Sequence, residues 1–468
     1  MGKAAQLFNS NINQTLIGRI TPTAEQREFL QTQWNNLADH LKEQLYERTG
    51  YPVSTWLQGS YKYGTLIKPL HSTEEYDVDV GLYFEWDDDQ ESTPSAVQLR
   101  EWVQQALLNY KSINSDVQDI EVPPKERCSR AIFKKQFHID TPVYHLNTGT
   151  DERRLACLSN KWEDSDPKAI YKWFKGAVSE GNREQIRRLV RYLKAWAVIA
   201  FEDAPASRPS SILLTVLATE AYQSLWQPHW TEMDDDDALI AIIKVIHSRL
   251  FENKEVPNPI DDSENLNRIS NSAWEGFLPR LQSLQDAAIR ANEAADEASS
   301  ALAWSEAFSF LMPLPEVDEL EIVDETSGRA VMQIPEITIQ VFSRNPRQLI
   351  ATHRNEVPNV AKDCELVFSI ANPHVVPEYS QVEWTVRNEG DEADLRSDLG
   401  HRRIGMKMLT ANEHTAYGGR HFMDCIIRLN GQVYSVRRIP VTVRSLPFAS
   451  RNPVRPAYTK LRSLLRRR

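Results

Sequence analysis

The chain has 468 residues, of which 41% are hydrophobic and 25% charged, so it is long enough for two or three domains with their own cores. No segment has the roughly 18 consecutive apolar residues that a membrane span needs, and the first residues lack the apolar core of a secretory signal. We therefore expect a cytoplasmic globular protein with no membrane partner. The net charge of -11 argues against non-specific binding of duplex nucleic acid, although residues 437–468 contain ten basic and no acidic residues.

The first third of the chain predicts a helix followed by strands. Thr23 and Gln26 form a capping box for a long amphipathic helix that ends before Gly50. Three β-prone segments follow, namely Val53–Gln58, Tyr76–Glu85 and part of Phe133–His145. We place their sheet between about residues 53 and 146, which makes this part of the protein α+β.

The middle and the end of the chain differ in their periodicity. Helical patterns cover about residues 160–312, in the segments Arg183–Phe201, Pro209–Tyr222, Asp235–Leu250 and Leu281–Leu311. The acidic segment Pro313–Arg329 is typical of a linker. Alternating patterns then predict a small β-sandwich over 335–446, with strands at Ile337–Phe342, Cys364–Ala371, Gln381–Asn388 and Ile404–Leu409 and a hairpin turn at Asn430-Gly431.

The four cysteines are expected to be buried free thiols. None of Cys128, Cys157, Cys364 and Cys425 stands in a CxxC or Cys/His pattern, so neither a zinc ribbon nor a disulfide is predicted.

Acidic residues in two of the predicted strands are the strongest indication of chemistry. Asp77 and Asp79 are two residues apart in a strand, so both carboxylates leave the same face of the sheet, where a divalent cation would neutralise their repulsion. Asp140 offers a third carboxylate from another strand. The DxD pattern alone is more often a solvated strand face, but Gly59 and Ser60 lie at a strand-to-helix turn whose backbone N–H groups can bind a phosphate.

Together these residues resemble the DNA polymerase β nucleotidyltransferase superfamily. The resemblance implies that Asp77 and Asp79 hold two metal ions, Mg²⁺ or Mn²⁺, and that Asp140 completes the metal site and activates the attacking hydroxyl. It also implies that Gly59 and Ser60 hold the triphosphate of the donor nucleotide.

A narrower resemblance covers about residues 20–312 and is to the bacterial CD-NTase (SMODS) family, the anti-phage cyclic oligonucleotide synthases related to cyclic GMP-AMP synthase. It rests on three segments: LQGSYKYGTLIKPLHSTEEYDVDVGLYF, KWEDSDPKAIYKWF and IRRLVRYLKAWAVIAFEDAPASRPSSILLTVLATEAY. This resemblance implies a nucleotidyltransferase core over 1–160 and a helical lobe over 161–312 that closes the nucleotide cleft. The composition of the following segment predicts the linker over 313–334.

Within the helical lobe, Lys194 holds the position for which the family implies a contact to the triphosphate. Arg183, Arg187 and Arg191 share its helix face, and a solvated basic face is an equally good interpretation for these arginines. Ser210 and Ser211 are either phosphate ligands or an N-cap. Tyr63 either stacks on a base or packs in the protein.

Several charged residues near these positions have a plainer interpretation. His138, two residues before Asp140, is expected to be a structural histidine. The basic segment 125–135 lies where the family implies a contact to the acceptor nucleotide. The acidic runs at Asp87–Asp89 and Asp234–Asp237 are expected to be exposed loops.

The end of the chain resembles the AGS-C sensor domain found on adenylyl or guanylyl cyclases and SMODS enzymes. The resemblance rests on VEWTVRNEGDEADLRSDLG and NEHTAYGGRHFMDCIIRLNGQVYSVRRIPV. It implies a sensor over 335–446, followed by a basic tail over 447–468. Polar loop residues are candidates for a surface that binds an activating ligand, or they are simply the turns of a β-sandwich. They are Asn388-Glu389-Gly390, Arg396, Glu413, Tyr417-Gly418-Gly419 and His421.

The sequence thus predicts an α+β polymerase-β-like nucleotidyltransferase with a helical lobe and a separate all-β sandwich. We expect it to join ATP, alone or with GTP or another NTP, into a cyclic second messenger that activates a downstream effector in CBASS-type anti-phage signalling. One alternative is linear oligonucleotide synthesis or adenylyl transfer to RNA. Another is a nucleotide-binding sensor with a decayed site.

Overall fold

The computed structural model describes residues 2–11, 14–70, 74–87, 93–134, 136–225, 233–314, 334–429 and 432–447. The chain divides into two compact units, Met1–Pro315 and Glu316–Arg468. Among the described residues, no helix is long and apolar enough to cross a membrane.

A seven-stranded mixed sheet forms the centre of the first unit, with strand order β1-β2-β5-β4-β3 and with β6 and β7 added beyond β5. Its strands are β1 (Val53–Gln58), β2 (Tyr76–Trp86), β3 (Val117–Ile120), β4 (Cys128–Phe133), β5 (Phe137–Asn147), β6 (Arg153–Ala156) and β7 (Trp162–Asp164). The strands β2 and β5 are parallel, whereas β1 is antiparallel to β2. The predicted strands are therefore present, and the sheet extends beyond the predicted end near residue 146.

Two helices cover one face of this sheet. The helix α3 (Ala24–Thr49) has the predicted capping box at Thr23 and ends at Gly50 in a left-handed conformation. The helix α5 (Ala96–Ile113), which was not predicted, begins with a second capping box at Ser95. Their apolar side chains pack on Val78, Val80 and Leu82 of β2. Because side chains alternate along a strand, Asp77 and Asp79 face the other side of the sheet.

The remaining helices of this unit form the helical lobe and its attachments. They are α1 (Ala5–Phe8), α2 (Leu16–Ile20), α4 (Gly59–Tyr63), α6 (Pro167–Gly176), α7 (Arg183–Ala200), α8 (Ser211–Leu225), α9 (Asp235–Glu252), α10 (Asn271–Glu293) and α11 (Glu297–Phe308). The single helical pattern predicted from Leu281 is in fact two helices, because the chain turns between α10 and α11 and Asp296 caps the second. A small hairpin, β8 (Pro257–Asn258) and β9 (Asp261–Asn265), separates α9 from α10.

The prediction that Asp234–Asp237 is an exposed loop is wrong, since the run begins α9 and two of its residues are buried. Asp235 accepts hydrogen bonds from Arg188 Nε at 2.6 Å and Nη2 at 2.8 Å, and from the Tyr192 hydroxyl at 2.8 Å. Asp236 accepts the backbone N–H of Ala4 at 2.9 Å. Buried carboxylates are stable when they are paired in this way.

The second unit is a sandwich of two sheets, with strand orders β11-β10-β13-β16 and β12-β18-β17-β14-β15. Its strands are β10 (Ile337–Arg344), β11 (Arg347–Arg354), β12 (Val357–Lys362), β13 (Cys364–Ile370), β14 (Gln381–Arg387), β15 (Gly400–Met406), β16 (Thr410–His414), β17 (Gly419–Leu429) and β18 (Gln432–Pro447). A short helix, α12 (Asp391–Leu395), follows β14. The core between the sheets includes Phe368, Trp384 and Ile439.

The strand predicted at Ile404–Leu409 is wrong in its bounds. The strand β15 ends at Met406, and the chain then crosses to the other sheet, where β16 begins at Thr410. Lys407 adopts a positive φ of 47° in this crossing, and the Met408 carbonyl accepts a hydrogen bond from Trp384 Nε1 at 2.8 Å. A change of sheet cannot be recognised from alternation alone.

Some predictions concern residues outside the described part of the chain. These are most of the 313–334 linker, the Asn430-Gly431 turn, Asp88 and Asp89, Lys135, and the basic tail after residue 447. On either side of the Asn430-Gly431 turn, β17 and β18 pair antiparallel, with Leu429 opposite Gln432.

Candidate active site

The turn between β1 and α4 brings its backbone against an acidic side chain. Gly59 has a φ of 58°, in the left-handed region that favours glycine. A Cβ at this position would lie 1.9 Å from Asp79 Oδ2, so any side chain here would displace the carboxylate. Ser60 follows in the first turn of α4. The glycine therefore allows the Asp79 carboxylate to lie directly against the backbone of the turn.

The three predicted carboxylates come together on neighbouring strands. In the parallel register of β2 and β5, Asp79 lies opposite Asp140 and Asp77 opposite His138. Ligand atoms of Asp77, His138 and Asp140 all lie within 4.8 Å of one another. Burial, followed by the negative charges of Asp77 and Asp140, raises the pKa of Asp79 well above its usual value. A bound cation would relieve this cost.

Arg130 on β4 forms a bidentate ion pair with Asp140. Its Nε lies 2.6 Å from Oδ1 and its Nη2 2.8 Å from Oδ2. Lys125 Nζ is 3.8 Å from Asp140 Oδ2, and Cys128 Sγ is 3.4 Å from the same atom. Burial would raise the pKa of Asp140, but the hydrogen bond and charge of Arg130 outweigh it and lower that pKa, so Asp140 is ionised at neutral pH.

His138 has a partner on each ring nitrogen. Its Nδ1 lies 2.8 Å from Glu75 Oε2 and its Nε2 lies 3.0 Å from Asp77 Oδ1. Burial opposes its protonation, but the two carboxylates raise its pKa overall. The side chain thus orients the Asp77 carboxylate.

Lys194 reaches the site from α7 in the helical lobe. It is buried, and its Nζ donates to the Thr65 carbonyl and to Thr65 Oγ1, each at 3.2 Å. Burial, followed by the charge of Arg191, lowers the pKa of Lys194 to about 7, although Asp77 and Asp79 act in the other direction. A polyanion nearby would therefore favour the charged ammonium form of Lys194.

The basic face of α7 contacts protein more than solvent. Arg187 Nε donates to the Tyr63 carbonyl at 2.9 Å, and Arg191 Nη2 donates to the Gly64 carbonyl. The solvated interpretation is therefore wrong for these two arginines, because the carbonyls at the C-terminal end of α4 point at α7 and need donors. Arg183, at the start of the helix, bonds the Lys175 carbonyl at 3.0 Å.

Ser210, Ser211 and Tyr63 line the cleft, and Ser210 and Tyr63 also contact other parts of the protein. Ser210 Oγ accepts the backbone N–H of Leu213 at 3.3 Å, which is the N-cap interpretation, while Ser210 and Ser211 both remain exposed. The Tyr63 ring packs on Tyr171 and Phe174, with centroids 5.6 and 5.2 Å away. Burial, with the Asp79 charge, raises the pKa of the Tyr63 phenol.

One cavity of about 1110 Å³ connects most of these residues. Its lining includes the predicted residues Gly59, Ser60, Tyr63, Asp77, Asp79, Lys194, Ser210 and Ser211. Asp140 is not part of this lining and joins the site through its proximity to Asp77. The volume is at the upper end for small-molecule sites and suits more than one nucleotide.

A second wall of this cavity was not predicted from the sequence. It is formed by polar residues of the β8–β9 hairpin and of the β6–α6 region, which include Asn258, Asp261, Glu264, Arg153 and Asp166. The Pro257-to-Asn265 segment interrupts a helical pattern with polar residues, and that interruption was the available signal.

The sandwich unit has a small cavity of its own, of about 90 Å³. Of the predicted ligand-surface residues, Asn388, Glu413, Tyr417 and His421 line it, and Arg396 is not part of that lining. These polar groups have protein partners: the Tyr417 hydroxyl donates to Asp398 at 2.8 Å, and Glu413 lies 3.0 Å from His401 Nε2.

The chain is similar in sequence to known cyclic dinucleotide synthases. Residues 53–144 match the family described as "Cyclic GMP-AMP synthase DncV-like, nucleotidyltransferase domain", and residues 321–444 match the "Adenylyl/Guanylyl and SMODS C-terminal sensor domain". A protein of Escherichia albertii named cyclic GMP-AMP synthase is 30% identical over 411 residues, which cover 88% of this chain and 89% of that protein. A c-di-GMP synthase of Roseivirga ehrenbergii is 26% identical over 292 residues, covering 56% and 74%.

Solved structures show the same fold. The Vibrio cholerae DncV cyclic AMP-GMP synthase in complex with a linear pppA(3′,5′)pG intermediate superposes with a TM-score of 0.56 at 18% identity, covering 67% of this chain and 96% of that one. The 3′-deoxy ATP form of the same protein gives a TM-score of 0.56 at 20% identity, covering 66% and 96%.

Proposed function

Because the chain belongs to the bacterial cyclic GMP-AMP synthase (CD-NTase) family and carries an AGS-C sensor domain, we propose that it joins ATP, with or without a second NTP such as GTP, into a cyclic oligonucleotide. It is a nucleotidyltransferase of the type that produces cyclic oligonucleotides. The observation that carries the substrate proposal is the pairing of Asp79 with Asp140 beside the Gly59-Ser60 turn, where Asp79 lines a cavity with room for two nucleotides.

Nucleotidyltransferases of this family use divalent metal ions, and the donor set of this chain fits them. Asp79 is a buried carboxylate beside two others, an arrangement that a hard cation with oxygen ligands would stabilise. We propose that Asp77, Asp79 and Asp140 hold two Mg²⁺ or Mn²⁺ ions. Such ions would supply positive charge for the phosphate oxygens and lower the pKa of the attacking hydroxyl.

The other roles follow from the position of each residue. Gly59 and Ser60 hold the donor triphosphate through the start of α4, Lys194 adds a positive charge, and Ser210 and Ser211 add hydroxyls at the start of α8. The acceptor hydroxyl oxygen bonds to the α-phosphorus, and its proton passes to the ionised Asp140 and then to solvent. The bridging P–O bond breaks with its electrons, and pyrophosphate leaves. A second attack closes the ring.

The biological assignments rest on the family. We propose that the cyclic product activates a downstream effector in CBASS-type anti-phage signalling and that the sandwich unit binds the activating ligand. Since nucleoside triphosphates are a cytoplasmic substrate pool, the cytoplasm is the proposed compartment.

The test is to incubate the purified protein with labelled ATP, GTP, CTP and UTP, singly and in pairs, with Mg²⁺ or Mn²⁺. We expect a product that resists phosphatase and has the mass of a cyclic oligonucleotide, with Asp77→Asn as the inactive control. A product that loses its terminal phosphates to phosphatase would instead support the linear alternative. Nucleotide binding without any product would support the sensor alternative.

A further inference from the structure

The cavity of about 90 Å³ in the sandwich unit has an apolar floor and a polar rim. The floor consists of side chains from the core between the sheets, namely Leu366, Phe368, Met423, Val441 and Val443. The rim consists of the segments 388–399 and 413–421, which contribute Asn388, Asp398, Glu413, Tyr417 and His421. At about 30 Å³ for each water-sized group, the cavity holds about three such groups. It therefore suits one branched aliphatic side chain and is far too small for a nucleotide.

Hydrogen bonds hold the two segments of the rim together. The Tyr417 hydroxyl donates to Asp398 Oδ2 at 2.8 Å, and the Gly418 backbone N–H donates to Glu392 Oε2 at 2.7 Å. Glu392 also pairs with Lys362 Nζ at 2.6 Å, and Lys362 is the last residue of β12. These contacts place the rim at the end of the sandwich where β12 ends and β17 begins.

The strand β18 leads the chain out of the sandwich at this same end. Val443 of β18 lines the cavity and lies opposite Gly419, the first residue of β17. Pro447, the last residue of β18, lies opposite Lys362. The tail segment, which we define as residues 448–468 and which lies outside the described residues, therefore starts beside the rim. An extended chain spans about 3.3 Å for each residue, so only part of this segment is needed to reach the cavity.

The rim and the tail segment are complementary in charge and in apolar content. Residues 388–399 include five acidic residues and one basic residue, Arg396. The tail segment has seven basic residues and no acidic one, and it also contains Leu461, Leu464 and Leu465. Leu395, within the acidic segment, is 64% exposed, so apolar surface is present outside the cavity as well. An occupant with leucine side chains among cationic ones fits both features.

We propose that the tail segment docks on the rim, with one of its leucine side chains in the cavity and its cationic side chains against residues 388–399. The docked tail covers polar residues that are candidates for binding the activating ligand, so this ligand has to compete with the tail. That regulatory consequence rests on the proposed function, whereas the docking itself does not.

The test is binding of a fluorescent synthetic peptide of residues 448–468 to the nuclease-treated full-length protein, measured by fluorescence anisotropy. A docked tail excludes the peptide, because a tethered segment has an effective concentration on the order of millimolar. We expect the full-length triple variant Leu461→Ser, Leu464→Ser, Leu465→Ser to bind the peptide at least about tenfold more tightly than the wild type. A peptide with the same three substitutions should bind that variant at least about tenfold more weakly than the unaltered peptide does.

A charge reversal on the rim tests the second half of the proposal. Asp391→Lys, introduced into the triple variant, should weaken peptide binding and make it less sensitive to salt. Glu356→Lys is the matched control, because Glu356 is also exposed but precedes β12, at the opposite end of that strand from Lys362. It should leave peptide binding unchanged.

Equal peptide affinity of the wild type and the triple variant would overturn the proposal, and so would equal affinity of the two peptides or the absence of binding. Binding requires no nucleotide turnover, so the two proposals can fail separately. Product formation by a protein whose tail does not dock refutes the docking alone. Docking by a protein that forms no nucleotide product refutes the proposed function alone.

Discussion

The three carboxylates should all be required for turnover but should differ in their effect on stability. Losing one preorganised charged group costs roughly 3–4 kcal/mol of transition-state stabilisation, or on the order of a hundred- to thousand-fold in rate. We therefore expect Asp77→Ala, Asp79→Ala and Asp140→Ala each to slow product formation by about a hundredfold or more. Wild-type turnover by any of them, in Mg²⁺ or Mn²⁺, would contradict the assignment.

Thermal unfolding in EDTA checks the stability part of this prediction. The pKa of Asp79 is raised in the folded protein, so its ionised form opposes folding above its unfolded pKa. Removing it should leave Tm unchanged or higher at pH 7. The pKa of Asp140 is lowered, so its ionised form stabilises the fold at pH 7. Its removal deprives Arg130 of its bidentate partner and should lower Tm.

Lys194→Ala should weaken binding of a non-hydrolysable ATP analogue more than Arg187→Ala does. Lys194 lines the larger cavity, whereas Arg187 is not part of that lining and donates a hydrogen bond to the Tyr63 carbonyl. Equal affinities of the two variants would refute this ranking.

The same side chain predicts a pH dependence. Because the Lys194 pKa is about 7 without nucleotide, the Lys194 amine is mostly protonated and charged at pH 6 and mostly neutral at pH 9. An anionic ligand binds the charged form, so affinity should fall as pH rises through 7. The nucleotide itself gains negative charge over this range, which acts in the opposite direction. The Lys194→Arg variant stays charged over this range, so its affinity should not fall as pH rises. The comparison identifies Lys194 as the source of the pH dependence.

How far the site could be predicted depends on how local each signal was. Gly59, Ser60, Asp77 and Asp79 are recognisable because the turn and the strand are continuous in sequence. The ion pair of Arg130 with Asp140 was not predicted, because it arises from the antiparallel register of β4 and β5, which places these residues opposite each other. The β8–β9 wall was missed for the same reason, since only the tertiary fold brings it to the cleft.

The attachment of α9 to α7 predicts a large stability effect at a site remote from the chemistry. Removing one partner of a buried ion pair costs about 3–5 kcal/mol, because the other charge stays buried. Asp235→Ala should therefore lower the Tm of the catalytic unit by several degrees, since Arg188 loses its carboxylate partner and Tyr192 loses one of its two acceptors. Calorimetry measures the transition.

The matched control is Asp39→Ala, which breaks the exposed pair with Lys42. A surface pair of this kind contributes about 0–1 kcal/mol, so Tm should barely change. If the two variants were equally stable, the burial of Asp235 would not have the effect that we assign to it.

The helix whose bounds were predicted correctly had complete local signals. The helix α3 has its cap, stripe and terminal glycine within one segment, and its predicted bounds agree with the structure. The helix α5 had a comparable capping box at Ser95 and Gln98 and was overlooked. The run Asp234–Asp237 was misjudged because its partner Arg188 is 47 residues away, and four consecutive acids are usually solvated. The fold class itself, α+β followed by an all-β unit, is confirmed.

The two compact units predict that synthesis and its regulation can be separated. Every residue proposed to act in the chemistry lies before residue 212, and the helices α7 to α11, with the core of the first unit, lie within Met1–Pro315. A shortened chain that ends at Leu314 should therefore fold and bind an ATP analogue with Mg²⁺ as tightly as the full chain. Its product formation should no longer respond to the activating signal.

The response is measured as product formed by the full and shortened chains with and without lysate from phage-infected cells. The shortened chain should be either silent, if the sandwich activates synthesis, or constitutive, if the sandwich restrains it. Asp79→Ala in each chain controls for nucleotide synthesis by the lysate. An identical response of the two active chains would show that the sandwich is not the sensor, because it would place the signal's binding site within the first unit.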